Sequence, residues 1–162
     1  MAFTVYSGSL MLSIILPIKD EKENIEPLLH ELKEVLQHHS SSEVIAVDDG
    51  STDGTREVLQ KAQSSFPFLR LVSLARNYGQ TAAIAAGMDA AKGDIFLPLD
   101  ADGQNDPHDI PLFLAKLEED TTLFRAGAVP VTMRGCGPGF PAVQILLSAE
   151  LPDRKFTTTV VR

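Results

Sequence analysis

Two groups of aspartates follow apolar stretches of the sequence, and together they could bind a metal ion that carries a phosphate. Asp48 and Asp49 begin the segment Asp-Asp-Gly-Ser-Thr-Asp-Gly. Asp100 and Asp102 begin Asp-Ala-Asp-Gly-Gln-Asn-Asp-Pro, in which Gln104 adds a neutral oxygen. Carboxylates collected at one place repel one another and lose hydration, so a cation or hydrogen-bond donors must hold them. Because Mg²⁺ and Mn²⁺ prefer oxygen ligands and keep positions open for phosphates, the pattern favours a divalent metal site.

Each of these groups also has a purely structural interpretation. Asp-Gly makes tight turns and aspartate caps helices, so an isolated Asp-x-Asp is more often structural than metal-binding. Asp20 and Glu21 could favour the start of a following helix through its dipole. Arg76 fits a solvated loop as well as a phosphate contact, and the four histidines show no ligand or nucleophile pattern. Together these residues indicate a functional site if the fold brings them to one place.

Strand and helix patterns alternate four times along the first three quarters of the chain. Apolar runs predict strands at 12–18, 44–47, 70–74 and 95–99. Apolar spacing and capping residues predict helices at 25–36, from the turn after Asp49 to Lys61, at 79–91 and at 109–119. This order predicts a mostly parallel sheet with helices on both faces. Since such sheets bind ligands beyond the carboxyl ends of their strands, both aspartate groups and segment 17–21 should share one edge.

Composition and charge limit the class of protein. The 162 residues, 44% hydrophobic and 22% charged, suit one domain with a core. The net charge of −8 makes nucleic acid a poor partner. A single cysteine, Cys136, excludes a disulfide framework and fits a cytoplasmic location. We find no apolar run of the roughly 20 residues that cross a bilayer, and we expect residues 1–11 to be an extension that the fold does not need.

The four segments 12–24, 47–55, 76–83 and 100–107 together resemble the family 2 glycosyltransferases in order and spacing. The resemblance is greatest to the polyprenyl-phosphate branch, which includes dolichyl-phosphate mannosyltransferase and undecaprenyl-phosphate glycosyltransferases. It implies an α/β domain of the GT-A (Rossmann-like) fold over residues 12–120, truncated after the fourth strand–helix unit. It also implies transfer of a sugar from a UDP- or GDP-linked donor to a polyprenyl phosphate, with inversion and with Mg²⁺ or Mn²⁺.

The resemblance also implies the residues of the site, position by position. The residues expected to line the base and ribose of the nucleotide sugar are Pro17, Lys19, Glu21, Val47 and Asp49. Those expected to lie along its diphosphate are Asp100, Ala101 and Asp102. Asp100, Asp102 and Gln104 would surround the metal, and Asp102 would be the catalytic residue. Lys19 stands where the family often has an aromatic residue and Asp20 where it often has asparagine, so the base of the donor stays open.

Three other functions are compatible with the sequence. The domain could serve a family 2 enzyme with a carbohydrate acceptor, or it could bind nucleotides without catalysing transfer. A phosphoacceptor receiver domain also has an acidic pocket on a doubly wound sheet. Receiver domains need paired acids after the first strand and one aspartate after the third, whereas the groups here follow the second and fourth predicted strands.

The sequence changes character after Asp120. Residues 121–162 lack the strand–helix rhythm and contain several prolines and glycines that break long elements. At this position the family has a strand close to Tyr-Asp-Val-Val-Ser-Gly-Trp-Arg. Codons can be chosen for that strand which, when they are read one nucleotide later, encode Thr-Thr-Leu-Phe-Arg-Ala-Gly-Ala. That is the sequence of residues 121–128. We hypothesise an out-of-frame tail, the alternative being a diverged segment, and we expect the uncovered sheet edge to allow self-association.

Overall fold

Four parallel strands form the central sheet of this computed structural model, which describes residues 11–39, 41–119, 129–131 and 143–145. The strands are β1 (Leu12–Ile18), β2 (Ser42–Asp48), β3 (Leu69–Ser73) and β4 (Ile95–Pro98). Their order in the sheet is β3-β2-β1-β4, and every neighbouring pair is parallel. The predicted parallel α/β architecture is therefore confirmed.

Four helices cover the two faces of this sheet. They are α1 (Ile25–Leu36), α2 (Thr55–Ala62), α3 (Gln80–Ala90) and α4 (Ile110–Glu119), the last preceded by a 3₁₀ turn at Pro107–Asp109. The predicted apolar stripe of α1 is buried along its whole length, and it packs with Leu59 of α2 and Phe113 of α4 in the larger core cluster. Helix α3 packs on the opposite face, so both faces are covered as predicted.

Helix α3 approaches the sheet closely because its side chains are small. Ala83 of this helix joins Ile15 and Val47 in the smaller core cluster. A Cβ atom added to Gly87 would overlap Cγ2 of Ile15 and would lie 3.1 Å from Cγ2 of Val47. The glycine therefore sets the distance between the helix and β1, as the alanine-rich sequence predicts.

The ends of the elements differ from the predictions where polar residues continue a strand or glycine interrupts a helix. Strand β2 includes Glu43 and Asp48, which the apolar pattern left out although both are buried. Helix α3 begins at Gln80, because Gly79 has a φ of 93° and is not helical.

Beyond α4, the described part of the chain contains two short strands for which we predicted no element. Strand β5 (Val129–Val131) pairs in antiparallel fashion with β6 (Val143–Ile145). The rest of the predicted tail, and nearly all of the predicted extension at 1–11, lie outside the described residues. Among the helices that are described, none combines the length and the apolar character needed to cross a membrane.

Candidate functional site

The carboxyl ends of β1, β2 and β4 form one edge of the sheet. Ile18 at the end of β1 is in register with Asp48 of β2, and Ile15 is in register with Pro98 at the end of β4. The N–H of Leu99 continues the ladder by donating to the carbonyl of Ile15 at 2.9 Å. The segments that begin at residues 19, 49 and 100 therefore leave the sheet side by side, as the topology predicts.

Hydrogen bonds tie the loop after β1 to the loop after β2. The N–H of Asp20 donates to Oγ of Ser51 at 2.9 Å, and the N–H of Thr52 donates back to Oδ1 of Asp20 at 2.7 Å. The N–H of Glu21 donates to Oγ1 of Thr55 at 3.0 Å. Asp20 has a φ of 54°, a conformation that aspartate adopts more readily than most residues. These reciprocal bonds hold the first two loops of the edge as one unit.

Lys19 places a cation on this unit. Its Nζ lies 2.7 Å from Oδ2 of Asp20 and 3.5 Å from the carbonyl oxygen of Gly50. The hydrogen bond to Asp20 raises the pKa of Lys19 against the lowering effect of burial, and the charges of Asp49 and Asp48 raise it as well. The ammonium group is therefore a stable positive charge at the end of β1.

Asp48 has a structural role. It is completely buried, and its carboxylate accepts from Nε of Arg56 at 2.6 Å and from the N–H of Ser51 at 2.9 Å. Nη2 of Arg56 also donates to the carbonyl of Leu74 at 3.0 Å. The pair thus joins α2 to the ends of β2 and β3.

Asp49 holds the start of α3. Its side chain is 3% exposed, and its two oxygens accept from the N–H groups of Tyr78 at 2.7 Å and Gly79 at 2.8 Å. A carboxylate at the amino end of a helix is stabilised by the helix dipole. The carboxylate therefore fixes the loop at 76–79 beside the edge, and its predicted contact with a ribose or base stays a prediction.

The loop at 76–79 also passes directly over the turn after β2. A Cβ atom on Gly50, which has a φ of 69°, would lie 2.6 Å from the backbone of Arg76 and Asn77. The guanidinium of Arg76 lies over the ring of Tyr78, 4.9 Å from its centroid, and both side chains are exposed. The solvated-loop interpretation of Arg76 agrees with this position.

The remaining predicted donor-binding residues differ in their exposure. Pro17 is half-buried at the end of β1, and Oε2 of Glu21 accepts from Nδ2 of Asn24 at 2.6 Å. Val47 and Ala101 are buried in the two core clusters. The side chains of Val47 and Ala101 therefore pack in the core below the edge. Direct contact with a donor stays a prediction for Pro17, Glu21, Val47 and Ala101.

Asp100 and Asp102 bring two carboxylates close together after β4. Asp100 is half-buried and accepts from Nε2 of Gln80 at 2.7 Å, whereas Asp102 is exposed and accepts from the N–H of Gln104 at 3.0 Å. Burial raises the pKa of Asp100, and the charge of Asp102 raises it further, against hydrogen bonds from Gln80 and Asn105. A cation beside the two carboxylates would relieve the repulsion between their charges.

This donor set fits a metal ion that shares its ligands with a substrate. Among the residues that are described, no cluster of three or more histidine, cysteine, aspartate or glutamate side chains could hold a metal unaided. Mg²⁺ is commonly bound through one or two carboxylates, with substrate phosphates and water completing its shell. Asp100 and Asp102 match that arrangement, and a contact of Gln104 with the metal stays a prediction.

A cleft of about 400 Å³ lies between α1 and the loop after β4. Asn24, Pro27 and Glu31 line it from the α1 side, and Ala101 and Gln104 are the predicted site residues among its lining. The cleft thus adjoins the Asp-x-Asp segment, although Asp49, Asp100 and Asp102 are not among its lining residues.

Comparisons with known proteins agree with this geometry. A family model described as glycosyl transferase family 2 matches residues 13–159. An undecaprenyl-phosphate 4-deoxy-4-formamido-L-arabinose transferase from Pseudomonas savastanoi is 42% identical over 110 residues, which are 66% of this chain and 32% of that protein. A dodecaprenyl-phosphate galacturonate synthase from Rhizobium johnstonii is 42% identical over 112 residues, which are 68% of this chain and 33% of that protein.

The fold is also similar to that of a solved glycosyltransferase. The structure of a mannosyltransferase from Pyrobaculum calidifontis, in complex with GDP-Man and Mn²⁺, matches with a TM-score of 0.66 and 28% identity. The match covers 79% of this chain and 37% of the mannosyltransferase. The predicted GT-A architecture is confirmed. The chain spans about a third of the length of the curated relatives that it matches.

Proposed function

We propose that this chain, which belongs to glycosyltransferase family 2, is the donor-binding part of an enzyme that transfers a sugar from a nucleoside diphosphate to a polyprenyl phosphate. The observation that supports this most directly is the convergence of Asp49, Asp100 and Asp102 at the carboxyl edge of one parallel sheet. Doubly wound sheets bind their ligands at such edges. The names of the two curated relatives contain undecaprenyl phosphate and dodecaprenyl phosphate, which supports the acceptor class.

The donor is proposed to lie with its diphosphate at the β4 end of the edge. Asp100, Asp102 and Gln104 would hold Mg²⁺ or Mn²⁺, which neutralises charge on a departing diphosphate when it is bound. Lys19 adds a positive charge at the β1 end. The family resemblance makes Asp102 the expected catalytic residue, and its carboxylate is exposed at the edge, where it would act by holding the metal.

In the proposed reaction, a phosphate oxygen of the acceptor forms a bond to the anomeric carbon of the sugar. The bond from that carbon to the donor diphosphate breaks, and the nucleoside diphosphate leaves with the electron pair. Attack from the opposite side inverts the anomeric carbon. Because the acceptor oxygen is already anionic, the site needs no general base, and positioning and electrostatic stabilisation are expected to supply most of the rate.

The 162-residue chain is proposed to bind the donor with little or no transfer by itself, since it spans 32% of the first curated relative. The full-length enzyme is proposed to act at the cytoplasmic face of a membrane. Transfer of sugar to polyprenyl phosphate by the purified chain would contradict the first of these two proposals.

Calorimetric titration with UDP and GDP, each with and without Mn²⁺, tests the proposed donor site. We expect heat of binding from one of the two nucleotides in the presence of Mn²⁺, and much weaker binding after EDTA is added, because the paired carboxylates repel an unaccompanied diphosphate. The nucleotide that binds more tightly identifies the base of the donor. If neither binds in the presence of Mn²⁺, the proposed function is wrong.

The origin of the tail remains a separate proposal. The alignments to the two curated relatives span 110 and 112 residues, close to the length of segment 12–120, a length that fits a frame change near Asp120 and a diverged tail equally. The family model extends to residue 159, which counts against the frame change. Sequencing the gene tests the proposal: we expect a single-nucleotide change near codon 120 to restore the family strand, and the absence of such a change would refute it.

A further inference from the structure

Two amide side chains hold the carboxylate of Asp100. Nε2 of Gln80 donates to its Oδ1 at 2.7 Å, and the buried side chain of Asn105 also donates to it. Asp102, two residues further along the chain, is exposed. One member of the carboxylate pair is thus fixed from two sides, while the other faces solvent.

The position of Gln80 is itself fixed from another strand. Gln80 is the first residue of α3, and Gly79 before it has a φ of 93°. The N–H groups of Tyr78 and Gly79 are both bound by the carboxylate of Asp49. Asp49 therefore anchors the start of α3 to β2, and the side chain of Gln80 extends from that anchor to the end of β4.

The chemistry of an amide suits this position. A lysine or arginine beside Asp100 would neutralise the carboxylate and repel a divalent cation, and an apolar residue would leave the carboxylate held by Asn105 alone. Glutamine donates a hydrogen bond and carries no charge. Partners of this kind orient the side chains that bind metals, and their removal typically weakens metal binding by about 10–100-fold.

We infer that Gln80 is a positioning residue, which orients the carboxylate of Asp100 toward the metal–diphosphate group. The inference rests on the proposed function of this edge and adds a residue to it. It also gives α3 a role in the site, because the helix connects the β2 end, where the nucleoside is expected, to the β4 end, where the diphosphate is expected.

The variants Gln80→Leu and Gln80→Ala test the inference. Binding of Mn²⁺ is measured by electron paramagnetic resonance of the free ion, in the presence of saturating UDP or GDP. We expect the dissociation constant of Mn²⁺ to rise by about tenfold or more in both variants. Nucleotide binding in EDTA and the midpoint of thermal unfolding should equal those of the wild type, since the side chain of Gln80 is exposed.

Gln60→Leu provides a matched control, because Gln60 is an exposed glutamine on α2. This variant should bind Mn²⁺ as the wild type does. If the wild type binds Mn²⁺ with a nucleotide and both Gln80 variants bind it equally tightly, the inference is wrong and the proposed function stands. If the wild type binds no Mn²⁺ with either nucleotide, both are wrong. Parallel loss of Mn²⁺ binding and thermal stability would reject a positioning role in favour of a structural one.

Discussion

Replacing Asp102 with asparagine is expected to weaken Mn²⁺-dependent nucleotide binding by on the order of a hundredfold, while the stability of the fold stays close to that of the wild type. Two unit charges about 4 Å apart near a protein surface attract by roughly 4 kcal/mol, and every 1.4 kcal/mol corresponds to about tenfold in affinity. The divalent ion doubles the charge, whereas exposure of Asp102 and salt reduce the attraction. A hundredfold loss is therefore a moderate expectation.

The stability should change little because asparagine preserves the local turn. The Oδ1 atom of Asp102 accepts from the N–H of Gln104 at 3.0 Å, and the amide oxygen of asparagine accepts the same bond. Thermal unfolding without ligand therefore measures the fold, and calorimetric titration of UDP and GDP with Mn²⁺ measures the site.

Asp89→Asn is the matched control for this experiment. Asp89 is exposed on α3 near the end of the helix that is distant from the edge, and its substitution changes the net charge equally. The control should bind nucleotide and Mn²⁺ normally. If Asp102→Asn binds Mn²⁺ and nucleotide with wild-type affinity, Asp102 is not part of the site. If both variants lose affinity equally, net charge and not the local carboxylate controls binding.

The fold was predictable from the sequence because its main determinants are local. The apolar spacing of α1 corresponds to one buried face, and the predicted helix and the observed helix have the same bounds. The strand–helix alternation predicts a parallel sheet, and a parallel sheet brings its carboxyl ends to one edge. The position of Asp49 and Asp100 at a common edge follows from these rules alone.

The separate roles of neighbouring residues were not predictable from the same rules. Asp48 and Asp49 looked like one acidic pair, but Asp48 bonds to Arg56 and Asp49 bonds to the loop before α3. Side chains alternate between opposite faces along a strand, so adjacent residues at its end meet different partners. The alternation of side chains along a strand can be read from the sequence, whereas the partner that each side chain contacts depends on the fold. The contact between Gln80 and Asp100, which are 20 positions apart in the sequence, depends on the fold in the same way.

Glu43 is a buried charge that the apolar pattern of β2 could not reveal. It lies at the amino ends of the strands, opposite the candidate site, and is 5% exposed. Its carboxylate accepts from Oγ of Ser13 at 2.8 Å, from Nη1 of Arg70 at 2.7 Å and from the N–H of Lys92 at 2.6 Å. These partners are 30, 27 and 49 positions away in the sequence. One carboxylate thus joins β1, β3 and the loop after α3.

Replacing Glu43 with alanine is expected to lower the free energy of unfolding by roughly 3 kcal/mol at neutral pH. The substitution leaves the hydroxyl of Ser13 without its acceptor in a buried place, and such a loss costs about 1–3 kcal/mol. It also removes the acceptor of the part-buried N–H of Lys92. Arg70 loses its carboxylate partner but keeps its hydrogen bond to the carbonyl of Ala90. Because its side chain is also 40% exposed and can regain hydration, the full cost of about 3–5 kcal/mol for a broken buried pair is not expected. Urea-induced unfolding of both proteins measures the difference.

The dependence on pH separates the charge of Glu43 from its packing. Burial pushes the pKa of Glu43 up, but the hydrogen bonds from Lys92, Arg70 and Ser13 outweigh it and hold the pKa below its ordinary value of 4.5. Because the folded state lowers this pKa, the charge stabilises the fold fully above pH 4.5, and the stabilisation is lost as the pH falls through the folded-state value.

Glu43→Gln, which has the same shape and cannot ionise, should therefore be less stable than the wild type at pH 7. The difference in the free energy of unfolding should shrink as the pH falls below 4.5. Glu57→Gln on the exposed surface of α2 removes a charge from the first turn of the helix and should differ from the wild type by no more than about 1 kcal/mol. A difference between Glu43→Gln and the wild type that stayed constant from pH 7 to pH 3 would mean that packing of the side chain, not its charge, joins these three segments.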